Sequence, residues 1–523
     1  MRKSTSLGQV MVLLVLCACA CACARGGGSG GSSGGAGGGN QPDGGGAGAD
    51  AGIDAGLPPP GLVTGVRLRH FVQRSGITDV PVNGTVSPLQ VFIWDGGSFG
   101  SVPVTATDGG FSFVTTVRPY WVGADGTWLV SSSDTLDWSF DVIGRPTDTV
   151  YDGGEPYDAQ FDFLGLTPWV LYHDDVELMT EAVDSAWGGW FPNMTIDAGA
   201  TAVTGQFSYL GGFDTLPRLV GDSVILTQRR NTTLYGGLSP DGGTISGFTS
   251  SLVAGSGPVT LTLPQPAGAT TSATFSPLTQ HSATITFDPS FDLVAASNPL
   301  ATKTSCSVDV FAYVDLHRGT TGYLGSLGSM TLRGLSSQPQ TLNWGNPSSA
   351  AAAWPEAALV GCQYSREVTL AGTTGSATIV SSASLSASPQ TLFADVLRPP
   401  MSPPRDPQAD GAAILGAPLT LAGTTPLISW TPPATGTPNV YFVTITEYSA
   451  AGGVTTELAQ VGITTTATEV RVPPGVLASG GIYTVHITAS NLSGGLFKAD
   501  SAPLYESASS QAASVVSALL TVP

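Results

Sequence analysis

The chain has 523 residues, enough for three or four domains that each bury a core, yet only 11% of them are charged. Its formal net charge of -19 sets an acidic surface against phosphate backbones and anionic headgroups, which argues against nucleic-acid binding and against direct adsorption to anionic lipid. Four of the six cysteines lie within the first 23 residues, which leaves Cys306 and Cys362 as the one thiol pair of the body.

Arg2 and Lys3 precede an apolar stretch, Val10 to Leu16 with Leu7 behind it, that is too short to span a bilayer as a helix. The pattern predicts a signal peptide. Cys17, Cys19, Cys21 and Cys23 then alternate with alanines, and this segment resembles the lipobox of bacterial lipoproteins, in which the cysteine after the cleavage point is acylated. That family places a small residue before the cysteine and usually leucine three before it. Cys19 fits, with Ala18 before it and Leu16 three back; Cys17 follows bulky Leu16, and Cys21 has Ala18 in the leucine position. The resemblance therefore implies a signal over 1–18, a lipid on Cys19, and residence in a bacterial cell envelope at the outer membrane or cell surface, with the membrane as partner. Each buried acyl methylene contributes about 0.8 kcal/mol, so two or three chains hold a protein at the bilayer durably. An ordinary signal cleaved near Ala24, giving a freely secreted protein, is the alternative. Alternating Cys-Ala lacks the paired C-x-x-C spacing of zinc sites.

Residues 19–61 read as a disordered tether. From Arg25 to Gly61, 17 of 37 residues are glycine, a composition that cannot form a core. A flexible chain of that length spans about 35 Å root-mean-square, enough to clear a lipid surface. Asp43, Asp50 and Asp54 lack the D-x-D-x-D-G spacing of a calcium loop.

Beyond Leu62, short runs rich in Val, Thr, Ile, Phe and Tyr alternate with Gly, Asp, Asn and Pro clusters, which predicts an all-β chain of tandem β-sandwich domains. The first unit, 62–146, places strands at Val91-Phe92-Ile93-Trp94, around an Asp108-Gly109-Gly110 turn, and at Tyr120-Trp121-Val122. Its threonine-rich strand, Asp-Gly turn and aromatic strand resemble the transthyretin-like, carboxypeptidase-regulatory-like sandwich. That resemblance implies a stable accessory platform. In the central region, 147–399, strand candidates are Ala202 to Tyr209, Ser223 to Gln228, Thr244 to Leu252, Val259 to Leu263, Ala283 to Phe287, Ser307 to Leu316 and Glu367 to Leu370, which suit one large sandwich or two small ones. Val176 to Trp187 is read as a short helix. No internal repeat points to a propeller or solenoid.

Residues 400–410, with Pro400, Pro403, Pro404 and Pro407, read as a stiff linker. The last unit, 411–523, carries Trp430, then Val440-Tyr441-Phe442-Val443, then Leu477 followed by Tyr483-Thr484-Val485. It resembles a fibronectin type III domain, in which a tryptophan on the second strand fills the inter-sheet core and a tyrosine corner ties a loop to nearby backbone. The resemblance assigns Trp430, Tyr441, Leu477 and Tyr483 to that core and implies spacing or protein binding.

Few residues carry chemistry. Ser307 to His317 alternates so that Asp309, Phe311, Tyr313, Asp315 and His317 share a strand face; Asp315 and His317 as metal ligands is one reading, a solvent-facing strand edge the other. Tyr172-His173-Asp174-Asp175-Val176-Glu177 packs an imidazole and three carboxylates into six residues, as a cation site or as turn residues ahead of the next element. His70, His281 and His486 sit singly in strand-like runs. Gly27-Gly28-Ser29-Gly30-Gly31 formally matches a nucleophile elbow but lies in the tether, and Gly221-Asp222-Ser223 runs on into a strand without a downstream Asp-x-x-His. The ten tryptophans, among them Trp187 and Trp190, either fill cores or build a sugar-stacking platform. Export makes a Cys306–Cys362 disulfide the expected state, with two separate buried thiols as the alternative.

The sequence thus points to a non-enzymatic, lipid-anchored envelope protein for adhesion, scaffolding or ligand binding, with no catalytic residue, metal or cofactor assigned. Its ligand would be a protein or a glycan. The alternatives are a secreted glycan-active hydrolase with accessory sandwiches, its reaction carried by the central region, and a carbohydrate-binding protein without catalysis.

Overall fold

A computed structural model describes residues 61–523 except 74–75, 85–87, 147–156, 180–194, 210–222, 239–243, 262–264, 292–296, 302, 316–320, 334–337, 349–353, 451–452 and 493–509. The expected acylation point Cys19, the tether, and Trp187, Trp190 and His317 lie outside the described residues. What is described is nearly all β.

In the first unit Leu62–Val66 pairs antiparallel with Gly110–Val114 and parallel with Thr135–Asp137. The Thr105–Thr107 and Gly110–Val114 strands form a hairpin in which Thr107 lies opposite Gly110, and Gly109 takes φ 71°, a left-handed backbone that suits glycine. A second layer is made by Gln90–Trp94, Phe99–Val102, Tyr120–Ala124 and Thr127–Ser131. Phe111 and Phe113 from one layer meet Val91, Tyr120, Val122 and Leu129 from the other. A side chain at Gly65 would place its Cβ 2.1 Å from the Phe111 ring, so this close approach requires glycine. Trp121 and Trp128 point the opposite way, into the core of the rest of the molecule, which is why Tyr120–Ala124 is buried along its whole length and reads as a continuous apolar run.

A 21-stranded sheet runs through the remainder. Taken across its hydrogen bonds, the order is Asp174–Met179, Ser223–Leu238, Thr244–Ser256, Thr321–Arg333, Lys303–Asp315, Glu356–Val368 and Ala377–Ala387. It continues through Ser510–Val516, Ile482–Leu492, Val440–Ser449 and Thr456–Thr465. A parallel pairing of Thr456–Thr465 with Thr127–Ser131 then joins the first unit, reinforced by the Trp121 indole N–H donating to the Arg471 carbonyl at 3.0 Å. The C-terminal unit therefore sits in space between the first unit and the central one, although it comes last in sequence.

Its own second layer is a sheet of Ala412–Ala413, Arg405–Ala409, Leu427–Thr431 and Glu469–Arg471. This corrects the expectation for 400–410: Arg405–Ala409 is a paired strand, Met401, Pro403 and Pro404 are buried, and the segment belongs to the packed unit. The apolar Met401 and the buried proline rings gain more by covering the core than a solvated connector would. The short-helix expectation for Val176 to Trp187 also fails where it is described, because Val176 to Met179 is strand, its alternate residues divided between two cores.

Two large cores serve the central region, beside a small cluster of Leu370 and Ile379 with Tyr448 and Val516. Phe161, Phe163, Val176, Leu178, Phe207, Val224, Leu226 and Phe275 form one. The other is shared with the C-terminal unit and holds Val308, Val310, Met330, Val360 and Ala383 beside Trp430, Tyr441, Val443 and Ile487.

Candidate functional site

Two acidic stretches that lie far apart in sequence converge in the central sheet. On Asp174–Met179, alternation turns Val176 and Leu178 into the Phe161 core and leaves Asp175 and Glu177 on the other face. Arg229 lies directly opposite Asp175 in register, and its Nε donates to Glu177 Oε1 at 2.6 Å. The same guanidinium donates through Nη1 to Ser250 Oγ at 3.1 Å and through Nη2 to the Ser326 carbonyl at 2.5 Å. Ser326 Oγ in turn donates to Asp309 Oδ1 at 2.5 Å. One arginine thus links the strands that carry Glu177, Ser250 and Ser326, and Ser326 extends the chain of bonds to Asp309.

The group is shut away from water: Arg229 is 5% exposed, Asp309 8% and Glu177 9%. Burial raises the Asp309 carboxyl to about 7, against the opposing pull of the Ser326 hydroxyl and Arg229. Asp175 lies at the solvent-exposed margin of the group, and its carboxyl is raised to about 6 by partial desolvation among its neighbours and next by the negative charge of Glu177. For Arg229, burial acts to lower the pKa, but the ion pair and hydrogen bond to Glu177 outweigh it and the net shift is upward. The Tyr323 hydroxyl is pushed well above its ordinary value, chiefly by burial and next by Asp309. The arrangement holds one carboxyl that titrates near neutrality beside a second that is held in an arginine pair, a separation of roles that acid–base sites also use.

Asp174 faces the other way. It receives a two-pronged contact from Arg230, with Nε to Oδ1 and Nη2 to Oδ2 both at 2.7 Å, and further bonds from Gln228 and the Val170 amide. His173 Nδ1 lies 2.8 Å from the Asn231 carbonyl, and Tyr172 is 92% exposed in the turn ahead of the strand. Asp174 therefore diverges from Asp175 and Glu177, which share the opposite face. Among the described residues no three of His, Cys, Asp and Glu come together as a ligand set.

The strand Lys303–Asp315 departs from the solvent-facing edge expected for it. It is paired on both sides, and Asp309 and Phe311 are buried. Both neighbours in the sheet are strands whose small residues gave a weak sequence signal. Arg229 was missed altogether. The available clue was a pair of arginines, Arg229 and Arg230, inside an alternating strand of a chain with only 19 basic residues; a cation so placed must find an anion.

Cys306 and Cys362 stand opposite each other on adjacent antiparallel strands, with a Cα separation of 4.0 Å, and are joined by a disulfide at the centre of the shared core. Trp430, Tyr441, Leu477 and Tyr483 are all buried in that core. The Trp430 and Tyr441 rings meet edge-on at 5.1 Å, and the Tyr483 hydroxyl accepts from the Ala478 amide at 2.8 Å. Trp121, Trp128, Trp138, Trp169, Trp344, Trp354 and Trp430 are buried, and Trp94 lies under the Arg471 guanidinium at 4.2 Å. These eight fill cores and contacts between units, so none of them supplies an open stacking platform.

One open groove has the chemistry of a polar ligand site. Asp158, Gln160, Gln206 and Gln265 line it beside the Pro266–Thr270 turn, around a volume of about 590 Å³ that includes its open mouth. Asp158 accepts from Ser208 Oγ at 2.6 Å and Gln206 Nε2 at 3.1 Å, while Gln265 fastens the turn to the backbone of Gln160 and to Thr271.

No protein-family model matches this chain, and no curated protein matches it.

Proposed function

We propose that the chain is a non-enzymatic, lipid-anchored cell-envelope protein whose β-sandwich body is displayed for ligand binding, adhesion or scaffolding. The Cys306–Cys362 disulfide is the observation that carries this reading. Such cross-links persist in oxidising compartments and are rare where thiols are kept reduced, so the bond agrees with the exported location that the first 18 residues predict. The buried charges support it further. Arg229, Glu177, Asp174 and Arg230 spend their hydrogen bonds on holding strands to one another. The transthyretin-like and fibronectin-like character read from the sequence belongs to the same proposal, as platform and spacer. Its anchor would be Cys19.

Intact mass of the protein extracted from membranes tests the anchor. A chain beginning at Cys19 with a diacylglyceryl thioether is expected, and Cys19→Ala should block that modification. An unmodified start beyond Cys23, with the protein free in the medium, overturns it.

The Asp158 groove favours a second reading, a glycan ligand. Side-chain amides and a carboxylate in an open cleft match the hydroxyl pattern of a sugar. Glycan-array binding that is lost in Asp158→Ala, without turnover of the bound sugar, would support it. Turnover abolished by one carboxylate substitution would point to the hydrolase instead.

A further inference from the structure

The strands Ala377–Ala387 and Ser510–Val516 pair only from Ala383–Ala513 to Ser386–Ser510, and then they part. At the fork the Ser382 amide donates to Ser514 Oγ at 2.7 Å in place of a backbone partner. Asn298 fills the gap that opens, with its Oδ1 accepting from the Val516 amide at 3.2 Å and its Nδ2 donating to the Ser514 carbonyl at 3.4 Å. Beside it lies a small cavity lined by Asn298, Tyr364, Arg366, Ser381, Leu415 and Val516, with room for the centre of one water-sized particle.

Arg366 is the unusual member. It is 8% exposed, its Nη2 donates to the Ser517 carbonyl, and its Nε has no hydrogen-bond partner. No salt bridge reaches it among the described residues, in contrast to buried Arg229, which is paired with Glu177. A guanidinium keeps its proton under all ordinary conditions, so it cannot escape burial by neutralising itself as a lysine or a carboxyl does. An unpaired buried charge costs several kcal/mol, and the nearest remedy is a counter-ion from solvent. The Tyr364 and Ser381 hydroxyls donate elsewhere, to the Phe291 and Tyr364 carbonyls, which leaves the guanidinium as the group that recognises the guest.

We infer that this cavity is a binding site for a single small monovalent anion of chloride size, held by the free Nε–H of Arg366 at the fork between the central sheet and the C-terminal unit. Occupancy stabilises the junction, because the ion binds the docked arrangement and has no site in the unfolded chain.

The test measures thermal unfolding of the full chain in sodium chloride and in sodium gluconate at one ionic strength. A midpoint that rises with the logarithm of chloride concentration once chloride exceeds Kd is expected; each further tenfold of chloride raises the folded-to-unfolded ratio about tenfold. Arg366→Met should lose the chloride response and, in gluconate, unfold no earlier than the wild type, since an apolar chain of similar size removes the unpaired charge. Equal wild-type midpoints in the two salts, or a wild-type chloride response in Arg366→Met, would overturn the inference. Should the variant fail to fold, wild-type crystals soaked in bromide decide the matter. An anomalous peak at hydrogen-bond distance from Arg366 Nε is expected, and an empty cavity there refutes the site.

Discussion

Replacing Asp309 with asparagine should make the protein more stable at alkaline pH and cost about 1–2 kcal/mol at acid pH, where the wild-type carboxyl is already neutral. The unfolded chain releases this proton near pH 4, whereas the folded chain holds it until about 7. Between those values the folded state binds more protons, so stability falls as pH rises, and the loss is complete above pH 7. A shift of about three units corresponds to about 4 kcal/mol at most. The asparagine Oδ1 can still accept from Ser326 Oγ, and Arg229 keeps Glu177 as its partner. The new amide N–H groups need acceptors in a buried place, which reduces the gain to about 2–3 kcal/mol at pH 8. Urea unfolding followed by the fluorescence of the buried tryptophans, at pH 4 and at pH 8, reads the difference. The effect of Asp175, raised to about 6, is common to both proteins and cancels. A stability gap of equal size at both pH values would refute the reasoning, as would a wild type more stable than Asp309→Asn at pH 8.

Two other substitutions test the frame of the fold. Tyr483→Phe removes the acceptor of the Ala478 amide and should cost about 1–3 kcal/mol, visible as a lower urea midpoint with an unchanged slope. Removing the cross-link with Cys306→Ala and Cys362→Ala together should cost about 4 kcal/mol for a bridge spanning 56 residues, and reductant should then no longer shift the melting curve.

Much of the fold was legible because the residues that face a core alternate with residues that do not. Ala202 to Tyr209 is read from the sequence with the same limits that the structure shows, and the Asp108-Gly109 turn forms the hairpin its chemistry requires. Three of the missed strands share one property. Thr321–Arg333, Ala377–Ala387 and Ser510–Val516 are built from Gly, Ser and Ala, whose low hydrophobicity hides the period of two. Small residues are needed there. A Cβ at Gly328 would lie 2.5 Å from the Asn343 carbonyl, and Ser514 and Ser382 use their polar atoms to bridge strands. The Glu177–Arg229–Asp309 group was illegible for a different reason. Its members are brought together by strand order, which no local pattern encodes, and each alone looks like an ordinary charged residue on a strand face.

The position of Ser510–Val516 in the sheet, between Ala377–Ala387 and Ile482–Leu492, sets a timetable for a chain synthesised from its N-terminus. Ser382 must wait for Ser514, 132 residues later, before its side of the ladder is covered. Until then the Ala377–Ala387 strand offers bare amides and carbonyls to any passing β-segment, including its own copies. Its alternating serines, weakly attractive to such neighbours, are what makes that delay survivable.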